Sequence, residues 1–305
     1  MQNDINTKGN TQWFYFRINN PPKKRPITLN IVNMRKNDSL FNYGMLPCFF
    51  SVVDWRTNRK GWTRAGTNVK YFKNNHPVEN SRRCYFTLSF TIRTPHEGDV
   101  LRVSQAYPYT TADLNNYLEG VEKVKYKNEM MEREILVNTI GKNKIEVLTI
   151  KEINPKVKKR PIIFIMARQH PGETPASYVL EGLLDALMSK EKDSEYLRKH
   201  YEIKVIPMVN PDGVSAGNYR TNLFGFDLNR RWEGGRGKST HEAAYIKKYL
   251  SQTFRGREVA FILDLHGHSR KLYSFFYGNT STANPVEIRI FPLLCSKLSP
   301  QCIYF

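Results

Sequence analysis

Residues 167–175 read ARQHPGETP, and this stretch decides the fold because the chain changes from strand to helix within it. The run that leads into it, Ile162 to Ala167, is apolar throughout, which is typical of a strand covered on both faces of a sheet. Thr174 is a good N-cap, Pro175 suits the first helical position, and apolar residues follow at helical spacing. A buried strand followed by an amphipathic helix indicates an α/β domain, in which sites lie where strands end.

The same alternation of strand and helix continues along the second part of the chain. Further strand-like apolar runs lie at residues 145–150, 202–209 and 259–265. Residues 240–250 are predicted to be helical, so we expect a mixed, mostly parallel sheet flanked by helices. Its first helix can be capped by Thr110 or Thr111, and we place the domain at residues 107–305.

The first part of the chain has a different pattern. Residues 11–106 contain short segments in which apolar and polar residues alternate, for example Ile27 to Ile31 and Phe86 to Ile92. A period of two indicates half-buried strands, and we predict an antiparallel β-sandwich domain. Residues 1–10 lack the basic stretch and apolar core of a secretory signal and are predicted to be disordered.

Composition excludes several classes of protein. No apolar run among the 305 residues reaches the roughly 18 that a membrane helix needs, so no membrane partner is expected. Four scattered cysteines indicate reduced thiols, and we expect a cytoplasmic protein. The net charge of +19 would attract polyanions, either nucleic acid or an acidic protein tail.

Candidate metal ligands follow two of the predicted strands. His170 and Glu173 lie just after the strand that ends at Ala167, and His266 follows the strand at residues 259–265. Two imidazoles and one carboxylate form a zinc site of the catalytic type, with a fourth position open to water. His268 is interpreted instead as a hydrogen-bonded turn histidine. Asp264 either orients one of the ligands or is only a carboxylate at a strand end.

A third segment supplies arginines and an amide. It contains NPDGV at residues 210–214, GNYR at 217–220 and GFDLNRRW at 225–232. A guanidinium group can bind a terminal carboxylate and can also stabilise an oxyanion. Taken alone, these residues are more often structural turns and solvated surface charges than a binding site.

The motifs HPGE, NPDGV, GNYR, GFDLNRRW and DLHGHS, in this order, resemble those of the zinc metallocarboxypeptidases. Among these, the chain is most similar to the cytosolic carboxypeptidases, which remove glutamates from protein tails. The resemblance implies one Zn²⁺ per chain, with three ligands: His170, Glu173 and His266. It also implies that Arg220 polarises the scissile carbonyl and stabilises the oxyanion. Asn229 and Arg230 would then bind the terminal carboxylate of the substrate.

The chain departs from this family after His266. The family's general base is a glutamate on a later strand, but the only carboxylate in this last segment is Glu287, whose surroundings do not match. The basic residue with which relatives recognise a glutamate side chain should lie in the same missing part. We therefore expect the carboxypeptidase domain to be incomplete at its C-terminal end.

Two functional hypotheses follow from the resemblance. The first is a zinc-dependent carboxypeptidase that removes C-terminal residues, glutamates in particular, from acidic tails such as those of tubulin, in the cytoplasm at microtubules or cilia. The second is a catalytically inactive module that binds acidic C-termini. A nucleic-acid binder would explain only the charge, and a zinc amidohydrolase for small acylated amino acids does not fit the β-rich first domain.

Overall fold

The alternating segments near the start of the chain pair as two antiparallel sheets in the computed structural model, which describes residues 1–152, 159–233, 241–279, 284–301 and 303. The strands of the first sheet, in spatial order, are β1 (Tyr15–Asn19), β7 (Val100–Ser104), β3 (Cys48–Ser51) and β4 (Thr63–Arg64). Those of the second are β2 (Ile27–Met34), β6 (Cys84–Ile92) and β5 (Thr67–Pro77). The antiparallel pairing predicted for this region is confirmed.

One hydrophobic cluster joins these two sheets. Phe49 and Val103 come from the first sheet, Leu88 and Phe90 come from the second, and all four are buried. The rings of Phe49 and Phe90 meet edge to face with their centres 6.1 Å apart, one of the arrangements that aromatic pairs favour. A 3₁₀ turn at Leu40–Tyr43 and the short helix α1 (Val52–Asn58) interrupt the strands.

The second part of the chain alternates strands and helices. Its elements are α2 (Thr111–Glu122), α3 (Lys125–Asn128), β8 (Met131–Asn138), β9 (Lys144–Ile150), β10 (Ile162–Ala167), α4 (Pro175–Leu187), α5 (Lys192–His200), β11 (Glu202–Ile206), α6 (Pro211–Ala216), α7 (His241–Thr253), β12 (Val259–Leu265) and α8 (Glu287–Leu298). A 3₁₀ turn lies at Leu228–Arg230. In the described part of the chain, the strands form one sheet in the order β12-β10-β11-β9-β8.

This sheet is mixed, as predicted, but it is not mostly parallel. β10 runs parallel to both β12 and β11, whereas β9 runs antiparallel to both β11 and β8. The short turn at residues 139–143 requires β8 and β9 to pair antiparallel, because a parallel connection needs a crossover of a dozen residues or more. The expectation was wrong because β8, whose residues are mostly half-exposed or exposed, was not recognised as a strand.

Both faces of the mixed sheet are covered, which is why β10 is apolar throughout. Along β10, Ile165 packs into a cluster with α2 and α4, whereas Ile162 and Phe164 pack into a second cluster with α7. Leu184 of α4 has no exposed surface. Burying a leucine of this kind contributes about 1.5–3 kcal/mol, so the helix is fixed on the sheet mainly by its apolar face.

The helix starts agree with the sequence in position, although not in every detail. Thr110 caps α2 through a capping box with Asp113. α4 begins with Pro175 after Thr174, but the Thr174 side chain makes no cap hydrogen bond. α7 matches the helix predicted at residues 240–250 and extends to Thr253. β11 ends at Ile206, three residues before the predicted end, because the chain turns towards α6 there.

Two further observations concern membrane-spanning helices and cysteines. No helix in the described ranges is long and apolar enough to cross a membrane. Cys48, Cys84 and Cys295 are free thiols, as expected, and Cys302 lies outside the described residues.

Candidate metal centre

The loop between β10 and α4 is held in place by a buried arginine. Arg168 is 1% exposed, and its guanidinium group donates to the carbonyl oxygens of Pro171 and Tyr109 and to Ser177 Oγ. Gly172 lies in the same loop so close to Tyr219 that a Cβ atom there would meet the ring at 2.4 Å. The loop therefore has a fixed shape, with His170 and Glu173 both buried in it.

The structure brings together the three residues predicted as zinc ligands. His170 Nδ1 lies 3.0 Å from Glu173 Oε1, and His266 Nδ1 lies 3.0 Å from Glu173 Oε2. The two Nδ1 atoms are 3.1 Å apart. Ligand atoms on a tetrahedral zinc ion with bonds of 2.0–2.1 Å lie about 3.3 Å from one another. The two imidazoles and the carboxylate are thus close enough to share one small ion.

The outer nitrogen of each imidazole faces a carboxylate. His170 Nε2 is 3.0 Å from Asp227 Oδ1, and His266 Nε2 is 2.7 Å from Asp264 Oδ2. Such a carboxylate keeps the proton on Nε2, so that the lone pair of Nδ1 points inwards. Two lone pairs and a carboxylate that converge in this way repel one another unless a positive charge lies between them. The donor set therefore fits a divalent cation such as zinc.

Titration behaviour points in the same direction. Burial would raise the pKa of Glu173, but His170 and His266, when they are protonated in the absence of a metal ion, donate hydrogen bonds to it and lower this pKa to about 2. Burial would lower the pKa of His266, but hydrogen bonds to Asp264 and Glu173 raise it to about 9. The raised pKa of His266 shows that the carboxylates on either side of its ring favour positive charge at this position.

Asp227 connects the metal centre to the arginine expected to bind substrate. One of its oxygens faces His170, and the other accepts a 2.7 Å hydrogen bond from Arg220 Nε. Burial opposes the ionised form, but His170 and Arg220 lower the pKa of Asp227 to about 2. Asp227 was not singled out from the sequence, although it lies two residues before Asn229 in the GFDLNRRW motif.

The other sequence-derived residues are placed differently. Asn229 and Arg230 lie in the 3₁₀ turn just after Asp227, which accepts a hydrogen bond from the Asn229 backbone N–H at 2.9 Å. Their side chains do not contact the metal centre. The exposed Arg230 guanidinium group donates to the carbonyl of Asn229 and forms no ion pair within the described residues.

His268 and Glu287, which both follow the third candidate ligand in the sequence, are placed as the sequence indicated. His268 Nδ1 accepts hydrogen bonds from the backbone N–H groups of Arg270 and Lys271, and it lies outside the metal cluster, as a turn histidine would. Glu287 is exposed at the start of α8 and is not part of the cluster. For Asp264, the contact with His266 Nε2 favours the orienting role over a chance strand-end position.

The N-terminal residues contact the loop that carries Arg220. Asp4 is 4% exposed, and its carboxylate accepts hydrogen bonds from three consecutive backbone N–H groups, those of Tyr219 (2.6 Å), Arg220 (2.7 Å) and Thr221 (2.9 Å). The prediction of disorder for residues 1–10 is at odds with this contact. The contact could not be predicted from the sequence, because Asp4 and Tyr219 are 215 positions apart and no local pattern links them.

The chain is similar to curated cytosolic carboxypeptidases over almost its full length. The mouse (Mus musculus) cytosolic carboxypeptidase 3 is 36% identical over 309 residues, which cover 99% of this chain and 30% of that protein. The human (Homo sapiens) cytosolic carboxypeptidase 2 is 35% identical over 312 residues, which cover all of this chain and 34% of that protein. The chain thus spans about a third of the length of the curated relatives that it matches.

The fold of the chain is similar to those of solved structures, and a family model matches its sequence. A metallo-carboxypeptidase from Burkholderia cenocepacia superposes with a TM-score of 0.76 at 20% identity, covering 96% of this chain and 72% of that one. This likeness confirms the metallocarboxypeptidase fold. The zinc carboxypeptidase family matches residues 114–300, which is more than half of the chain. The chain therefore belongs to the zinc carboxypeptidase family.

Proposed function

We propose that this chain carries the centre of a zinc-dependent carboxypeptidase that removes C-terminal residues, glutamates in particular, from acidic protein tails such as those of tubulin. The observation that carries the proposal is the convergence of His170 Nδ1, His266 Nδ1 and the Glu173 carboxylate within about one ligand-to-ligand distance. Both imidazoles are oriented from behind by carboxylates, as metal-binding histidines usually are.

The surrounding residues suit the binding of a peptide C-terminus. Arg220 is held through Nε by Asp227, and its terminal nitrogens form no hydrogen bond with the described residues, so they can donate to a carbonyl oxygen. Arg230 is exposed and can bind a terminal carboxylate in a fork, with the Asn229 amide beside it. A zinc ion at the centre would polarise the scissile carbonyl and lower the pKa of a water molecule.

The choice of acidic tails rests on charge and on relatives. The chain has 47 basic and 28 acidic residues, and the net charge of +19 favours encounters with acidic partners. Glutamate and tubulin are carried over from the resemblance to cytosolic carboxypeptidases, whose name also suggests the cytoplasm for this chain. Microtubules or cilia would be the place where such tails occur.

The direct test measures glutamate release. The purified chain, loaded with one zinc per molecule, is incubated with a peptide ending in several glutamates, and free glutamate is quantified. We expect release that a chelator abolishes and added zinc restores. The same peptide with an amidated C-terminus is the matched control, since it offers no terminal carboxylate to Arg230. Equal cleavage of both peptides, or release that the chelator leaves unchanged, would contradict the proposal.

A second candidate function is a module that binds acidic C-termini without cleaving them. It is favoured by the position of Glu287, which is exposed at the start of α8 and lies outside the metal cluster, where it cannot serve as a general base. Zinc-dependent binding of the tail peptide with no glutamate release over many hours would support this alternative.

A further inference from the structure

A loop of the N-terminal region lies against the turn that follows β12. Residues 35–40 connect β2 to the 3₁₀ turn, and the Leu40 backbone N–H donates to the carbonyl of Ser269 at 3.3 Å. The Arg270 guanidinium group donates to Asn37 Oδ1 at 3.3 Å. The two halves of the chain thus form a seam three to four residues beyond His266.

Lys36 extends from this loop towards the metal centre. Its ammonium group donates to Ser269 Oγ and to the hydroxyl of Tyr219 at 3.5 Å, and it lies 5.1 Å from the centre of the Tyr219 ring. The carbonyl of Tyr219 in turn accepts a 2.8 Å hydrogen bond from Gly172, the residue before Glu173. Lys36 is therefore two contacts away from a candidate zinc ligand.

This ammonium group contacts only neutral groups in the part of the chain that the structure describes. Within the described residues Lys36 forms no ion pair, and its two hydrogen-bond partners are neutral hydroxyls. Burial and the nearby charges of Arg220 and Arg270 lower its pKa to about 8, against the opposing effect of Glu173. A half-buried cation beside other cations is unfavourable unless an anion compensates it.

Arg270 is the second cation at the seam. It is exposed and forms no ion pair among the residues that the structure describes. Asp38 is near enough to interact with it electrostatically, but the Asp38 carboxylate is already hydrogen-bonded to the side chains of Asn42 and Tyr43. Arg270 and Lys36 are therefore both available to an external anion.

We propose that Lys36 and Arg270 form a subsite for an acidic side chain of the peptide substrate, separate from the anchor for its terminal carboxylate. The inference rests on the proposed function, which assigns that terminal carboxylate to Asn229 and Arg230. These two lie on the turn after Asp227, a different element from the seam. A glutamate-rich tail supplies the additional anion, whereas a neutral peptide supplies none.

The test compares binding of two peptides that differ only in side-chain charge. Both have a free C-terminus and a ketomethylene group in place of the last peptide bond, so that they resist hydrolysis; one ends in Glu-Glu and the other in Gln-Gln. Dissociation constants for the zinc-loaded protein are measured by fluorescence anisotropy. For Lys36→Met we expect the Glu-Glu constant to rise about tenfold and the Gln-Gln constant to change less than about twofold, because the lost interaction is charge-assisted.

Three further variants make the result specific. Arg270→Met should also raise the dissociation constant of the Glu-Glu peptide, and Lys36→Arg should restore most of the preference for Glu-Glu over Gln-Gln. Lys73→Met, an equal charge change at an exposed position of β5, should alter neither dissociation constant. Zinc content and circular dichroism equal to those of the wild type verify that each variant is folded.

The outcomes separate this inference from the proposed function. If the wild type binds both peptides and the Glu-Glu preference persists in Lys36→Met and Arg270→Met, the subsite is refuted while the proposed function stands. Equal weakening of both peptides also refutes the subsite, since it indicates general damage. If the wild type binds neither peptide, the proposed function fails and the subsite fails with it.

Discussion

The two halves of this chain contribute to the metal centre in different ways. In the half after residue 107, the contributing residues lie in short motifs at strand ends, and HPGE alone supplies two of the three candidate ligands. The half before it contains no motif, yet Asp4 holds the loop that carries Arg220, and Lys36 reaches the turn after His266. Chemistry in one half can thus depend on positioning from the other, and the following predictions test that division.

The largest effect should come from the motif-bearing half. His170→Ala or His266→Ala removes one of three converging ligand atoms, so we expect zinc to be lost and hydrolysis to fall at least about a thousandfold, equivalent to roughly 4 kcal/mol. Zinc content by elemental analysis and glutamate release are the measurements. Arg230→Ala is the comparison, since it should keep its zinc and mainly weaken peptide binding. Full zinc content in both histidine variants would refute the site.

An intermediate effect is expected at the carboxylate that links ligand and arginine. Asp227→Asn keeps the shape of the side chain but weakens its contacts with His170 Nε2 and Arg220 Nε. We expect the affinity for zinc to fall about 10- to 100-fold, as for other partners of metal-binding histidines. Competition with a chromogenic chelator measures it. Unchanged affinity would mean that Asp227 does not orient His170.

The smallest of the three effects is expected for a substitution in the N-terminal half of the chain. Asp4→Asn presents an NH₂ group to backbone N–H donors, which leaves at least one of them unsatisfied at a cost of about 1–3 kcal/mol. We expect kcat/KM to fall about tenfold with zinc affinity unchanged, because the loop of Arg220 shifts while the ligands stay. Glu79→Gln, an equal charge change at an exposed position, is the control. A loss of zinc equal to that of Asp227→Asn would show that the halves are not separable in this way.

The sequence predicts what is local and periodic. The strand ends, the start of α4 and the pairing of HPGE with His266 follow from apolar runs and from the rule that sites lie where strands end. β8 was missed because its alternation is weak, and the balance of parallel and antiparallel pairs was then misjudged.

Long-range contacts leave no such signal. Asp4 is a polar residue in a polar segment until the fold brings it against residues 219–221, and Lys36 meets Ser269 across 233 positions. Arg168 lies between β10 and the HPGE motif, but nothing in its sequence neighbours indicates that three backbone and side-chain oxygens surround its guanidinium group. Residues of this kind are found only through their partners in three dimensions.

The position of β12 in the sheet has a consequence for folding. In the described part of the chain β12 pairs with β10, and His266 directly follows the last residue of this strand. An ion shared with Glu173 would cross-link the end of this strand to the start of α4, closing a loop of 93 residues. Closing a loop of that length removes much conformational freedom from the unfolded chain. A bound metal ion would then hold β12 to the start of α4, in addition to taking part in hydrolysis.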